Sequence, residues 1–198
     1  MSAGSTQVRA VGSGTAVRPG SAVPPGRGAP LGRAARVGGL ALVDGTSGAG
    51  KTTAARDLAA GTGARVLHMD DLYAGWEGMA HATATLERIL TERAAGRTPR
   101  WRRWDWHASA WGEEDSIAPD VPLIVEGCGS VTAVTAGFAD RVLWLDAPEP
   151  VRRARALARD GDDSWWEGWK RQEAAHRAAH DPQRWASDVP ACSVRARR

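Results

Sequence analysis

The sequence predicts a three-layer α/β/α fold built on a parallel sheet, and three observations carry that expectation. Short apolar runs of buried-strand type recur at Leu40-Ala41-Leu42-Val43, Val121-Pro122-Leu123-Ile124-Val125 and Arg141-Val142-Leu143-Trp144-Leu145. Segments rich in strong helix formers lie between and after such runs, and strands alternating with helices imply a parallel sheet covered on both faces. A glycine-rich loop joins the first strand to the first helix. At 198 residues the chain has the length for one domain with a sizeable core.

That loop organises the rest. Asp44-Gly45-Thr46-Ser47-Gly48-Ala49-Gly50-Lys51-Thr52-Thr53 fits the phosphate-loop pattern G-x-x-x-x-G-K-[ST]. Glycines let the backbone turn tightly and aim successive N–H groups inward, making an anion nest at a helix N-terminus. Residues Gly45 to Thr53 are therefore the expected nucleotide-binding set. Lys51 would reach the β- and γ-phosphates of a nucleoside triphosphate, and the Thr52 hydroxyl would hold Mg²⁺. The following helix is expected to run from Thr53 to Ala60, ending before Gly61.

A turn at Gly61 to Gly63 leads into a second strand, Ala64 to His68, and then into Met69-Asp70-Asp71-Leu72-Tyr73. Ala80 to Ala95 reads as a helix with Leu86, Ile89 and Leu90 at core spacing. Residues 97–120 are rich in Trp and Arg and read as an irregular insertion on the substrate side. The third strand, 121–126, ends on the carboxylate of Glu126, and the fourth is 141–145. Helices over about 149–160 and 164–180 complete the plan, with Trp166, Trp169, Gln172, Glu173 and His176 at helical spacing and the two tryptophans as core anchors. Ligands of such sheets gather at the carboxyl ends of the strands. Asp70, Glu126 and the phosphate loop all fall there.

Charge is unevenly placed. Residues 1–43 carry five arginines and no acid, leaving 21 basic and 23 acidic residues in 44–198, a net charge of −2. That balance weighs against nucleic acid as a partner. Residues 1–35 lack periodicity and are expected to be a disordered leader, 36–185 the domain, and 186–198 a basic tail. No run of roughly 18 apolar residues suggests a membrane helix, and a cytoplasmic setting is expected. Cys128 and Cys192 have no metal-type spacing and imply neither a disulfide nor zinc.

Taken together, Gly45 to Thr52, His68 to Tyr73 and Val125-Glu126-Gly127 resemble the uridine kinase branch of the P-loop nucleoside and nucleotide kinases, over about residues 37–180. The pattern departs at Leu72, where an aromatic is common, and at Trp104-Asp105-Trp106; a last apolar strand is hard to find in Trp185 to Arg198. The resemblance implies a P-loop NTPase fold, ATP and Mg²⁺ as cofactors, and a small-molecule hydroxyl as acceptor, most directly that of a pyrimidine nucleoside. It puts the catalytic aspartate on Asp70; an Asp after a strand is also a common cap or turn former, and Asp71 is the expected capper. Phosphoryl transfer to a hydroxyl needs such a carboxylate. Glu126 is the second metal-side candidate. Tyr73, Asp105 and His107 are the acceptor-side candidates. Arg155 and Arg159, on one helical face with Arg152, could neutralise charge on the transferred group. A sugar, sugar acid or secondary metabolite is the alternative acceptor. A nucleotide-binding regulator and a single-strand nucleic-acid-binding NTPase are the rivals from other classes.

Overall fold

In the computed structural model the described residues are 39–187. The expected leader, and the tail beyond Ser187, lie outside them. Four parallel strands form the sheet: β1 (Leu40–Gly45), β2 (Arg65–His68), β5 (Leu123–Glu126) and β6 (Arg141–Leu145), in the order β2-β5-β1-β6. Between β2 and β5 lie α2 (Met79–Ala94) and an antiparallel hairpin of β3 (Arg100–Asp105) and β4 (Ala110–Ser116). Helix α1 (Lys51–Thr62) follows the glycine loop; α3 (Ala133–Phe138), α4 (Glu149–Asp160) and α5 (Trp166–His180) complete the order.

The strand period of two explains the three layers. Leu40 and Leu42 of β1 join a core with Leu67, Leu123, Val125 and Val142 that is closed by Leu86, Ile89 and Leu90 of α2 and by Trp166 and Trp169 of α5. The alternate residue Val43, with Ile124 and Leu145, faces a second core that includes Ala55 of α1, and Ala54 and Leu58 pack against it. Both faces are apolar because both are covered.

Three local expectations change. Residues 97–120 are not irregular: β3 pairs with β4 from Arg100↔Ser116 to Asp105↔Ala110, with a register shift between Arg102 and Trp104. The shift breaks the alternation by which strands are recognised, and the exposed arginines hide it further. Trp101 is the buried anchor of the hairpin. Helix α3 is an addition. Its start is set by a capping box in which the Thr132 hydroxyl accepts the Val134 and Thr135 N–H groups while Thr135 Oγ1 accepts the Thr132 N–H. After β2 the chain does not stay extended: Met69–Asp71 form a 3₁₀ turn. At the far edge, Ser187 N–H donates to the Val142 carbonyl at 2.9 Å, so the chain returns to β6 after a 3₁₀ turn at Pro182–Trp185.

Register brings the site together. Glu126 stands level with Val43 on one side and His68 on the other, so three strands end at one edge of the sheet.

Candidate active site

The loop between β1 and α1 is shaped by close backbone approach. Gly45 has φ 143°, and a Cβ there would lie 1.9 Å from the Leu145 carbonyl oxygen; Gly48 has φ 75°, and its Cβ would meet the Arg152 carbonyl at 2.3 Å. Only glycine fits either position. Asp44 fastens the base of the loop, accepting N–H groups of Gly45, Gly129 and Val131 at 2.7, 3.1 and 2.9 Å. Its burial pushes its pKa up to about 6 against those bonds.

A cleft of about 710 Å³ opens above this loop. On its floor are Ser47, Gly48, Gly50, Lys51, Thr52 and Thr53. The other three residues of the expected nucleotide set turn elsewhere. Thr46 donates its hydroxyl to Asp146 at 2.6 Å, Ala49 is buried, and Gly45 lends its carbonyl to Lys51. They shape the loop without lining the cleft.

Lys51 Nζ donates to the Gly45 and Thr46 carbonyls at 3.0 and 2.9 Å and lies 3.2 Å from Cys128 Sγ. Burial opposes its charge, but its hydrogen bond to the Cys128 sulfur and the nearby carboxylates of Asp44 and Glu173 outweigh that and raise its pKa. It stays an ammonium. Burial pushes the neighbouring Cys128 thiol up to about 12 against the pull of Lys51, so it stays protonated.

Thr52 and Glu126 meet: the Thr52 hydroxyl donates to Glu126 Oε1 at 3.1 Å, and His68 Nδ1 lies 2.6 Å from the same oxygen. That hydrogen bond raises the His68 pKa against partial burial. The 3₁₀ turn presents Asp70 to the cleft and turns Asp71 away from it, toward Arg103 of the hairpin. Asp71 caps nothing; it accepts Arg103 Nη2 at 3.0 Å. Asp70 is open to solvent at the cleft mouth yet crowded by protein. Desolvation and the charge of Glu126 raise its pKa, with Arg159, Lys51 and His68 pulling it down. Trp106 Nε1 donates to the Asp70 carbonyl at 3.0 Å, tying the hairpin to this turn.

Facing the loop is an aromatic wall. Trp76 stacks on Trp165 (centroids 4.5 Å apart, planes 5° apart), Trp106 leans on Trp76 at 4.8 Å, and Trp169 meets Tyr73 edge-on at 4.8 Å. Tyr73 and His107, two expected acceptor-side residues, line this part of the cleft. Asp105 does not. Its Oδ1 accepts the His107 and Ala108 N–H groups at 2.8 and 2.9 Å, which closes the hairpin turn and lowers its pKa. Arg155 and Arg159 line the cleft, Arg155 donating to the Gly48 carbonyl at 3.2 Å and Arg159 forking onto Asp160. Arg152, on the same face in sequence, is buried beneath the loop, where it donates to the Ser47 carbonyl and stacks on Trp166.

The fold that holds this cleft is shared with solved structures. A candidate uridine kinase from Bacillus stearothermophilus superposes with a TM-score of 0.55 at 20% identity, over 77% of this chain and 87% of that one. A candidate fructose transport system kinase from Silicibacter sp. TM1040 gives 0.54 at 16% identity, over 79% and 86%. The fold is that of the P-loop kinases. No family model and no curated protein matches the sequence. At the cleft, sequence reasoning missed Trp76, Trp165 and Cys128, and behind it His68, the partner of Glu126. Their only signals were position beside a motif and, for Trp165, adjacency to the Trp166-x-x-Trp169 pair. Among the described residues no three His, Cys, Asp or Glu converge as a protein-only metal cage, and no helix is long and apolar enough to cross a membrane.

Proposed function

We propose that this chain is an ATP-dependent kinase transferring the γ-phosphoryl group to a hydroxyl of a small molecule, with a pyrimidine nucleoside as acceptor. The observation that carries it is one cleft holding the phosphate loop, Lys51 and Thr52 on its floor, the Asp70 carboxylate beside them, and an aromatic wall opposite. Lys51 neutralises the β- and γ-phosphates, and the N–H groups opening α1 cradle them. Asp70 orients the acceptor hydroxyl and takes its proton as the P–O bond forms. Arg155 and Arg159 meet the charge on the transferred oxygens. Tyr73 and His107, with the tryptophans, receive the flat base.

The oxygen donors of Thr52 and Glu126 fit Mg²⁺, which takes one or two protein ligands and otherwise phosphate and water. When held there it would offset the charge of the phosphates.

A second reading follows from the Silicibacter neighbour, whose description names a fructose transport system kinase: a sugar hydroxyl in the same cleft. Measuring ADP release with MgATP across a panel of nucleosides and sugars decides. Turnover with pyrimidine nucleosides supports the first reading, turnover with sugars alone the second. A chain that binds MgATP and phosphorylates nothing in a wide panel, yet changes affinity for a macromolecule, overturns both in favour of a regulator.

A further inference from the structure

Glu173 is a buried carboxylate, 5% exposed, one turn along α5 from Trp169. It faces the phosphate loop, not solvent. Its Oε1 accepts the backbone N–H of Ser47 at 2.7 Å and lies 3.5 Å from Cys128 Sγ, while Oε2 lies 3.9 Å from Arg177. The Ser47 backbone is therefore held through both flanking peptides, its N–H by Glu173 and its carbonyl by Arg152 Nη1 at 3.0 Å. The next carbonyl, that of Gly48, is held by Arg155.

The same helix also grips the acceptor side. Gln172 donates to the Trp76 carbonyl at 2.6 Å and accepts the Met79 N–H at 3.2 Å, and Trp169 packs on Tyr73. Adjacent residues of one rigid element thus hold the two halves of the cleft. A carboxylate taken out of water costs several kcal/mol unless charge-assisted donors answer it. Here the answering donor is a loop amide 126 residues away in sequence.

We propose that Glu173 is a positioning residue: by fixing the Ser47 amide it sets the curvature in which the loop admits a triphosphate, and through α5 it registers the loop against the aromatic wall. It touches no substrate. The proposal rests on the kinase reading for the identity of the ligand. A rival role for the same carboxylate is purely electrostatic, sustaining the charge of Lys51.

Glu173→Gln separates the two, since glutamine keeps an oxygen for the Ser47 N–H and loses the charge. The experiment is calorimetric titration of the full chain with the imido analogue of MgATP, alongside melting curves without nucleotide. Glu173→Ala should weaken binding at least about tenfold, the scale of leaving a buried amide unpartnered, and Glu173→Gln should stay within about threefold. Lys170→Ala, which cuts an exposed pair to Glu149 on the same helix, should bind as the parent does.

Glu173→Ala binding like the parent overturns the proposal. So does Glu173→Gln losing as much as Glu173→Ala, or Lys170→Ala losing tenfold. A parent that binds no magnesium nucleotide overturns the kinase reading itself, which keeps the two failures apart. Should Glu173→Ala not fold, hydrogen exchange of the Ser47 amide serves instead: slow exchange in the parent and in Glu173→Gln supports the proposal, fast exchange in the parent overturns it.

Discussion

Lys51 is surrounded by the protein's own groups, with two loop carbonyls and the Cys128 sulfur around its ammonium and two buried carboxylates close by. Lys51→Ala removes the one cation the loop itself supplies, and turnover should fall at least about a hundredfold. Activity within a few-fold of the parent in a coupled ADP assay would mean that this cleft is not the transfer site. Asp70 and Asp71 differ more sharply than two adjacent acids in an extended strand would. The 3₁₀ turn gives Asp70 to the cleft and Asp71 to Arg103. Asp70→Asn should bind ATP normally and lose transfer by roughly 10²–10⁴-fold. Asp71→Asn should lose only a partly exposed ion pair, about 0–1 kcal/mol of stability. If Asp71→Asn is the inactive variant, the proton acceptor is misassigned. Because burial and Glu126 raise the Asp70 pKa, the acid limb of kcat/KM should lie above 3.8, the ordinary aspartate value. It should vanish from the residual activity of Asp70→Asn.

At the scale of elements, the hairpin gives Asp105 a structural role beside the expected acceptor-side one. The resemblance makes it an acceptor ligand; the fold spends its carboxylate on the turn that carries His107 and Trp106. Asp105→Asn keeps an oxygen for those amides, so turnover and acceptor KM should stay within about threefold of the parent, as for a turn residue whose hydrogen bonds survive. A tenfold rise in acceptor KM would return Asp105 to the ligand role. The hairpin also marks where sequence stops being legible. β1, β5 and β6 announce themselves through apolar runs, and α1 and α4 through helix formers bounded by glycine, because those signals are local. Pairing of β3 with β4 depends on a register shift and on Trp101 finding a core built by distant residues. Likewise Lys51, Thr52, Asp70 and Glu126 were visible as motifs at strand ends. Trp76 and Trp165 meet only after the fold has brought the end of the β2 loop to the start of α5. Glu173 gave no sign of reaching the loop because nothing in a helical spacing says which neighbour it will face.

Across the whole molecule, two buried titratable groups couple stability to pH with opposite signs. Asp44, at the end of β1, has its pKa raised to about 6 by burial, and His176, on α5, has its pKa lowered to about 4 by burial and then by His180. His176 Nε2 lies 3.0 Å from the Val131 carbonyl and 3.9 Å from Asp44 Oδ2, so the pair joins the sheet to the outer helix under the phosphate loop. A raised folded pKa gives Asp44 a contribution that is complete below about 3.8 and is lost as pH rises through about 6. A lowered one gives His176 a contribution present above its ordinary 6.5 and lost as pH falls through about 4. Between these values acid helps one group and harms the other, which flattens the pH dependence of the intact chain. His176→Gln can still donate to Val131 and no longer titrates. Any melting-temperature deficit of this variant relative to the parent should therefore be largest near pH 7 and shrink as pH is lowered towards 4, with the variant overtaking if the glutamine bond is as good. Asp44→Asn should behave oppositely: its cost relative to the parent should grow as pH is lowered from 7 to 4, because the parent gains stability there that the asparagine does not. Paired melting curves at pH 7, 6, 5 and 4 check both variants. Parallel curves for either one would mean that its side chain does not titrate differently in the folded and unfolded states, and that the burial assigned to it beneath the loop is wrong.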